Sequence, residues 1–113
     1  MHEMSAAQSV LDIAFREMEE HSSRAITKIK ISIGELSGVA KEALEFAFEV
    51  LTPGTPAAKA SIEIDIVPLT AACLRCGPIR CRLSDLNLLC PACGGPASVT
   101  SGREMKVEYL DLE

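Results

Sequence analysis

An α+β fold, with two helices packed on a small three-stranded sheet and a cysteine-bearing insertion before the last strand, is predicted by three observations. Two segments repeat their apolar residues at helical spacing. Three others alternate apolar and polar residues with period two. Between the second and third of these alternating segments lie four cysteines in two CxxC pairs.

Residues 4–20 carry Ala7, Leu11, Ala14, Phe15 and Met18 at helical spacing, with Gln8, Asp12, Arg16 and Glu19 between them. Residues 26–33 place Ile29, Ile31 and Ile33 on one face and Lys28, Lys30 and Ser32 on the other, with one break from strict alternation, so a half-buried strand is expected. Gly34 and Gly38 punctuate a loop. Residues 41–51 then read as a second helix with Leu44, Ala47, Phe48 and Leu51 inward, stopped by Thr52-Pro53-Gly54. Ile62, Ile64 and Ile66 alternate with Glu63 and Asp65 in a second strand closed by Pro68. After the cysteines, Met105, Val107 and Tyr109 alternate with Lys106 and Glu108. Leu110 and Leu112 fall on the opposite phase, which predicts a bulge or a frayed end. A final strand this short cannot stand alone, so it is expected to return to the sheet of the first two. The domain reading is 1–68 completed by 103–113, with residues 69–102 as an inserted module.

The 113 residues are 48% hydrophobic and 24% charged, enough for one folded unit, and with three Phe, one Tyr and no Trp the core must be aliphatic. The net charge of −5 argues against a nucleic-acid binder, which shows a basic face. Residues 69–102 hold Arg75, Arg80 and Arg82 against Asp85 alone, so the acidity belongs to the remainder. No run is apolar enough to span a membrane. The start has neither the basic region nor the apolar core of a signal peptide, so a cytoplasmic protein is expected.

Cys73-Leu74-Arg75-Cys76-Gly77 and Cys90-Pro91-Ala92-Cys93-Gly94 are thirteen residues apart. In an intracellular chain this spacing favours metal over disulfides. Cys73, Cys76, Cys90 and Cys93 can close a tetrahedral four-thiolate, zinc-ribbon-like shell around Zn²⁺. Such a shell leaves no open position, so its metal is a folding staple rather than a catalyst. A rubredoxin-like iron site uses similar turns and is the rival reading. A thioredoxin-type redox pair is disfavoured, because no βαβ context surrounds the second CxxC. Cys81 reads as a small apolar residue.

At the other end, His2 follows Met1 directly and precedes Glu3. The Met1 amine, the backbone nitrogens of His2 and Glu3, and the imidazole offer a nitrogen-donor set suited to Ni²⁺ or Cu²⁺. Glu3 can add an oxygen or hold the imidazole through its second nitrogen. The opposing reading is a frayed, solvated terminus. His21 reads as a solvated residue at the negative end of the first helix. Gly34-Glu35-Leu36-Ser37-Gly38 lacks the Lys and the spacing of a nucleotide loop. With no catalytic Ser/His/Asp set or paired carboxylates in view, a binding protein rather than an enzyme is expected.

Several segments together resemble the hydrogenase nickel-incorporation (HypA/HybF) metallochaperone family. They are Met1-His2-Glu3-Met4-Ser5, Ile33-Gly34-Glu35-Leu36-Ser37-Gly38-Val39, Glu42-Ala43-Leu44, Phe46-Ala47-Phe48-Glu49-Val50-Leu51, the two CxxCG turns, and a late Gly-x-Glu. No one of them is decisive; their joint order is specific. The resemblance implies a cytoplasmic nickel metallochaperone. It would bind Ni(II) through His2 with the Met1 amine and Glu3, and structural Zn(II) through Cys73, Cys76, Cys90 and Cys93. It also implies two partners, a nickel-handling GTPase and the large subunit of a [NiFe] hydrogenase, and it leaves a homodimer open. Some family members carry His beside the zinc cysteines; this chain has none there. The alternatives are a zinc-ribbon interaction adaptor without nickel and a rubredoxin-like electron carrier.

Overall fold

The computed structural model describes residues 3–80, 89, 90 and 92–113. Helix α1 spans Glu3–Glu20, strand β1 Ile26–Gly34, helix α2 Lys41–Leu51 and strand β2 Ser61–Val67. Strands β3 (Thr70–Cys73), β4 (Gly77–Arg80), β5 (Ala97–Ser101) and β6 (Met105–Leu112) complete the described elements.

Two three-stranded sheets result, in the orders β2-β1-β6 and β4-β3-β5. In the first, β1 pairs in parallel with β2, the two being joined through α2, and antiparallel with β6. The last strand therefore returns to the sheet of the first two, as its length requires. Chain continuity links the sheets twice. Strand β2 runs on into β3 through Pro68-Leu69, and β5 into β6 through Gly102-Arg103-Glu104. The molecule is elongated, with extents of 54 × 25 × 17 Å.

Both helices cover one face of the first sheet. Helix α1 buries Ala6, Ala7, Val10, Leu11 and Ala14, a stripe at intervals of three and four residues. Its end is closed by Ser22 at φ 52°, with the Ser23 N–H reaching the Met18 carbonyl at 2.9 Å, a Schellman-type cap. Helix α2 buries Leu44, Ala47 and Phe48 against Ile29, Ile31, Ile33 and Ile64. It ends where the Thr52 hydroxyl and N–H both donate to the Phe48 carbonyl. Each fully buried Leu, Ile or Phe contributes about 1.5–3 kcal/mol relative to exposure.

The opposite face of this sheet is a polar ladder. Lys28 and Lys30 reach Glu63 at 3.1 and 3.2 Å, and Lys30 reaches Asp65 at 2.9 Å. The buried Ser32 hydroxyl donates to Glu108 at 2.7 Å. Glu63 is held below its usual range by Lys28 and then Lys30. Cation and carboxylate cancel along this face, so it offers no basic surface.

Two sequence expectations are refined. The break in β1 and the phase change in β6 are register shifts, between Ile26 and Lys28 and between Lys30 and Ile31. The second skips Glu108 on β6. Tyr109 therefore leaves the face of Met105 and Val107: it is exposed, with Lys28 Nζ 5.5 Å from its ring centroid, while Leu110 and Leu112 turn in against the core. Ile66, grouped with Ile62 and Ile64 by alternation, is 53% exposed on the edge strand.

Candidate metal centre

The two CxxC turns sit at the far end of the second sheet. The first joins β3 to β4, whose antiparallel register pairs Cys73 with Gly77. The second lies in a hairpin whose arms meet at a Leu89–Pro96 bridge, with Cys90 N–H donating to Gly95 at 2.8 Å and Gly94 N–H to Cys90 at 2.8 Å. Gly77 and Gly94 have φ of +77° and +72°. A side chain at either would meet nothing within 4 Å, so it is the left-handed backbone, not space, that calls for glycine.

The four Sγ atoms of Cys73, Cys76, Cys90 and Cys93 all lie within 4.8 Å of one another. Cys73 and Cys93 approach to 3.5 Å. A tetrahedral zinc with Zn–S of about 2.3 Å sets its sulfurs about 3.8 Å apart, so the donor set and its spacing fit such an ion. Cys73 and Cys90 are buried, whereas Cys76 and Cys93 are exposed.

The two members of each turn differ electrostatically. Cys73 is drawn down to about 7 by the backbone N–H groups of Cys76 and Arg75. Cys90 is lowered in the same way by those of Cys93 and Ala92. The second thiol of each pair then faces sulfurs that ionise first. Cys76 is pushed up to about 12 by Cys90 and Cys93. Cys93 receives the Gly95 N–H at 3.4 Å, which favours its thiolate, yet is raised overall by Cys73 and Cys90. Four thiolates this close cannot all ionise against one another; a divalent cation between them removes the conflict.

A seam holds this end to the helical half. The C-terminal end of β1 wedges between the strands that run from one sheet to the other. Gly34 N–H donates to Glu104 at 2.8 Å, Glu35 N–H to Val67 at 3.0 Å and Leu36 N–H to Gly102 at 2.6 Å. The Glu35 carboxylate accepts the Leu69 N–H at 2.6 Å. Ser101 donates to the Pro68 carbonyl at 3.0 Å, and its hydroxyl also bonds that of Thr70. A Cβ on Gly34 would overlap the Gly102 carbonyl, and one on Gly102 would lie 2.6 Å from Leu69 Cα. Sequence reasoning placed Gly34 and Glu35 only in a loop. Their role depends on residues more than thirty positions away, and no local pattern reports that.

Among the described residues, the four cysteines are the one grouping of three or more side chains able to hold a metal ion. Glu3 lies in the first turn of α1 and belongs to no such grouping. Met1, His2 and Cys81 lie outside the described residues. His21 is exposed, with Nε2 3.5 Å from Glu17. No helix is long and apolar enough to cross a membrane.

Residues 1–112 match the family described as hydrogenase/urease nickel incorporation, metallochaperone, hypA. The chain is 39% identical over 114 residues to the hydrogenase maturation factor HypA of Aquifex aeolicus, spanning 100% of this chain and 98% of that one. It is 41% identical over 117 residues to the factor of the same name from Geobacter sulfurreducens, spanning 100% of both. Its fold is similar to the solution structure of the Ni metallochaperone HypA from Helicobacter pylori, with a TM-score of 0.69 at 23% identity over 99% of this chain and 97% of that one. The chain thus belongs to the HypA family of hydrogenase and urease nickel-incorporation metallochaperones.

Proposed function

We propose that this protein accepts Ni(II) at its N-terminus and releases it for maturation of a [NiFe] hydrogenase, while Zn(II) in the four-cysteine shell serves as a structural metal. The observation that carries the reading is the family match along the whole chain, start included. The nickel donors are the Met1 amine, the backbone nitrogens and imidazole of His2, with Glu3 supplying an oxygen or orienting the ring. Glu3 stands in the first turn of α1, next to His2 in the sequence. A site at a chain terminus can be taken apart without unfolding the domain, and a carrier must give its cargo up.

Zinc fits the second site because four thiolates form a closed tetrahedral shell with no position for a substrate. The protein then acts by binding and transfer rather than by catalysis, with residues 69–102 as a zinc module on the helical domain 1–68 and 103–113. Its partners are the nickel-handling GTPase of hydrogenase maturation and the hydrogenase large subunit, in the cytoplasm.

The test is nickel titration of untagged protein against His2→Ala, with zinc content measured in parallel. Nickel binding should be lost in the variant and zinc retained at wild-type stoichiometry, and X-ray absorption of the wild-type complex should show nitrogen and oxygen ligands. Unchanged nickel binding by His2→Ala would place the site elsewhere. An iron-containing, coloured preparation would favour the electron-carrier reading instead.

A further inference from the structure

The outer surface of α2 joins an exposed apolar stripe to a stripe of carboxylates. Phe46 is 63% exposed and Val50 50% exposed, one turn apart on the same side, and exposed Ala43 extends the stripe by a further turn. Positions 43, 46 and 50 follow the spacing of anchors that a helix presents to a groove. Beside them runs a parallel stripe of exposed carboxylates at 42, 45 and 49. Among the described residues, Glu42, Glu45 and Glu49 have no salt-bridge partner, and they stand together on one helix face. Next to the acidic stripe, a cleft of about 400 Å³ opens between α2 and the start of β2. Pro53, Ala58, Ala60 and Ile62 wall it, with Glu45 and Glu49 along its side.

We propose that this face of α2 docks into a partner protein that presents an apolar groove edged with Lys or Arg. Phe46 and Val50 fill the groove, and the free carboxylates meet its cations. The cleft admits a basic side chain, whose methylene stem lies on Ala58, Ala60 and Ile62 while its charged head reaches Glu45 and Glu49. Charge selects this occupant over the others. A second copy docked on the same face would oppose carboxylate to carboxylate, and an anionic membrane would repel the stripe. Phe is among the aromatic residues enriched in the cores of protein–protein interfaces.

The inference rests on the maturation role proposed above, which supplies the partners to be tried. Zinc-loaded full-length protein is titrated calorimetrically with two purified probes in turn, the nickel-handling GTPase and the precursor of the hydrogenase large subunit. Wild type should bind at least one of them. Phe46→Ser/Val50→Ser should weaken that binding roughly thirtyfold or more. Glu45→Lys/Glu49→Lys should weaken it roughly tenfold, and wild-type binding should itself weaken as salt rises from about 0.05 M to about 0.5 M. These positions are exposed, so the variants should keep the wild-type melting temperature. Wild-type affinity in both double variants, or no binding of either probe by wild type, overturns the proposal. So does a dimer of this protein that Phe46→Ser/Val50→Ser dissociates. Nickel titration of the same samples separates the two readings: wild type that fails to bind nickel sinks the carrier role, whereas docking that survives Phe46→Ser/Val50→Ser sinks this one.

Discussion

The helical half and the four-cysteine half are held together by different physics. In the first, fifteen buried residues from α1, β1, α2, β2 and their connections form one continuous apolar cluster. In the second, the buried apolar residues among those described are Leu69, Ala71, Cys73 and Cys90, and two of these are the candidate metal ligands. Among the described residues, a three-stranded sheet of four- and five-residue strands buries little to offset its conformational entropy. The proposed zinc staple would supply that stabilisation. The contrast fits the zinc shell proposed above: the first half folds by excluding water, and a cation among the four thiolates would hold the second.

Removing the metal should break the comparison most visibly. Chelation, or Cys73→Ser, should melt β3, β4 and β5 while β1, β2, β6 and both helices persist, because structural zinc contributes about 10 kcal/mol or more to small sites of this kind. Amide resonances from 70–80 and 97–101 would collapse, with those of 26–34 retained. Loss of both sets together would show that the helical half leans on the metal too.

The seam sharpens the comparison by asking how tightly the halves are joined. Gly34→Ala drives a methyl into the Gly102 carbonyl, so the strands entering and leaving the second sheet must part. We expect a loss of about 1–3 kcal/mol by urea unfolding, with hydrogen exchange rising at Leu36 and Leu69, whose N–H groups are bonded across the seam. Unchanged exchange there would mean that the junction carries no strain from one half to the other.

The smallest effect concerns the polar face. Glu63 is held below its ordinary value of 4.5 by Lys28 and then Lys30. A carboxyl whose folded value is depressed stabilises above its unfolded value, and that contribution disappears as pH falls through the folded one. Glu63→Gln should therefore reduce stability near neutrality slightly and flatten the loss on acidification below about pH 4.5. The side chain is 44% exposed, so solvent screening keeps the effect on stability small. An acid-unfolding profile identical to wild type would remove the pair from the account.

Most of the helical half was legible in advance because periodicity is local. Leu44, Ala47 and Phe48 recur at three and four residues, and Ile29, Ile31 and Ile33 at two; each set turns inward as that spacing dictates. The cysteine cluster was legible for a related reason: a CxxC turn is a local device, and two of them at thirteen residues can close on one ion. Tyr109 was less so. Alternation assigned it to the core face, and only pairing with β1 revealed the skipped Glu108 that turns it outward. The exposure of Phe46 follows from the same local spacing, which sets Leu44, Ala47, Phe48 and Leu51 inward and leaves Phe46 off that face.

By itself, the sequence determined what each segment wants: which residues must leave water, where helices stop, and which thiols can share a metal. The tertiary structure alone decided the strand order β2-β1-β6, the bulges that set its phase, and the seam at which Gly34, Glu35, Leu69 and Gly102 meet. The physical reason is range. Propensity and ligand spacing act within a few residues, whereas backbone packing at the seam and register across β1 are contacts between parts of the chain that become neighbours only on folding.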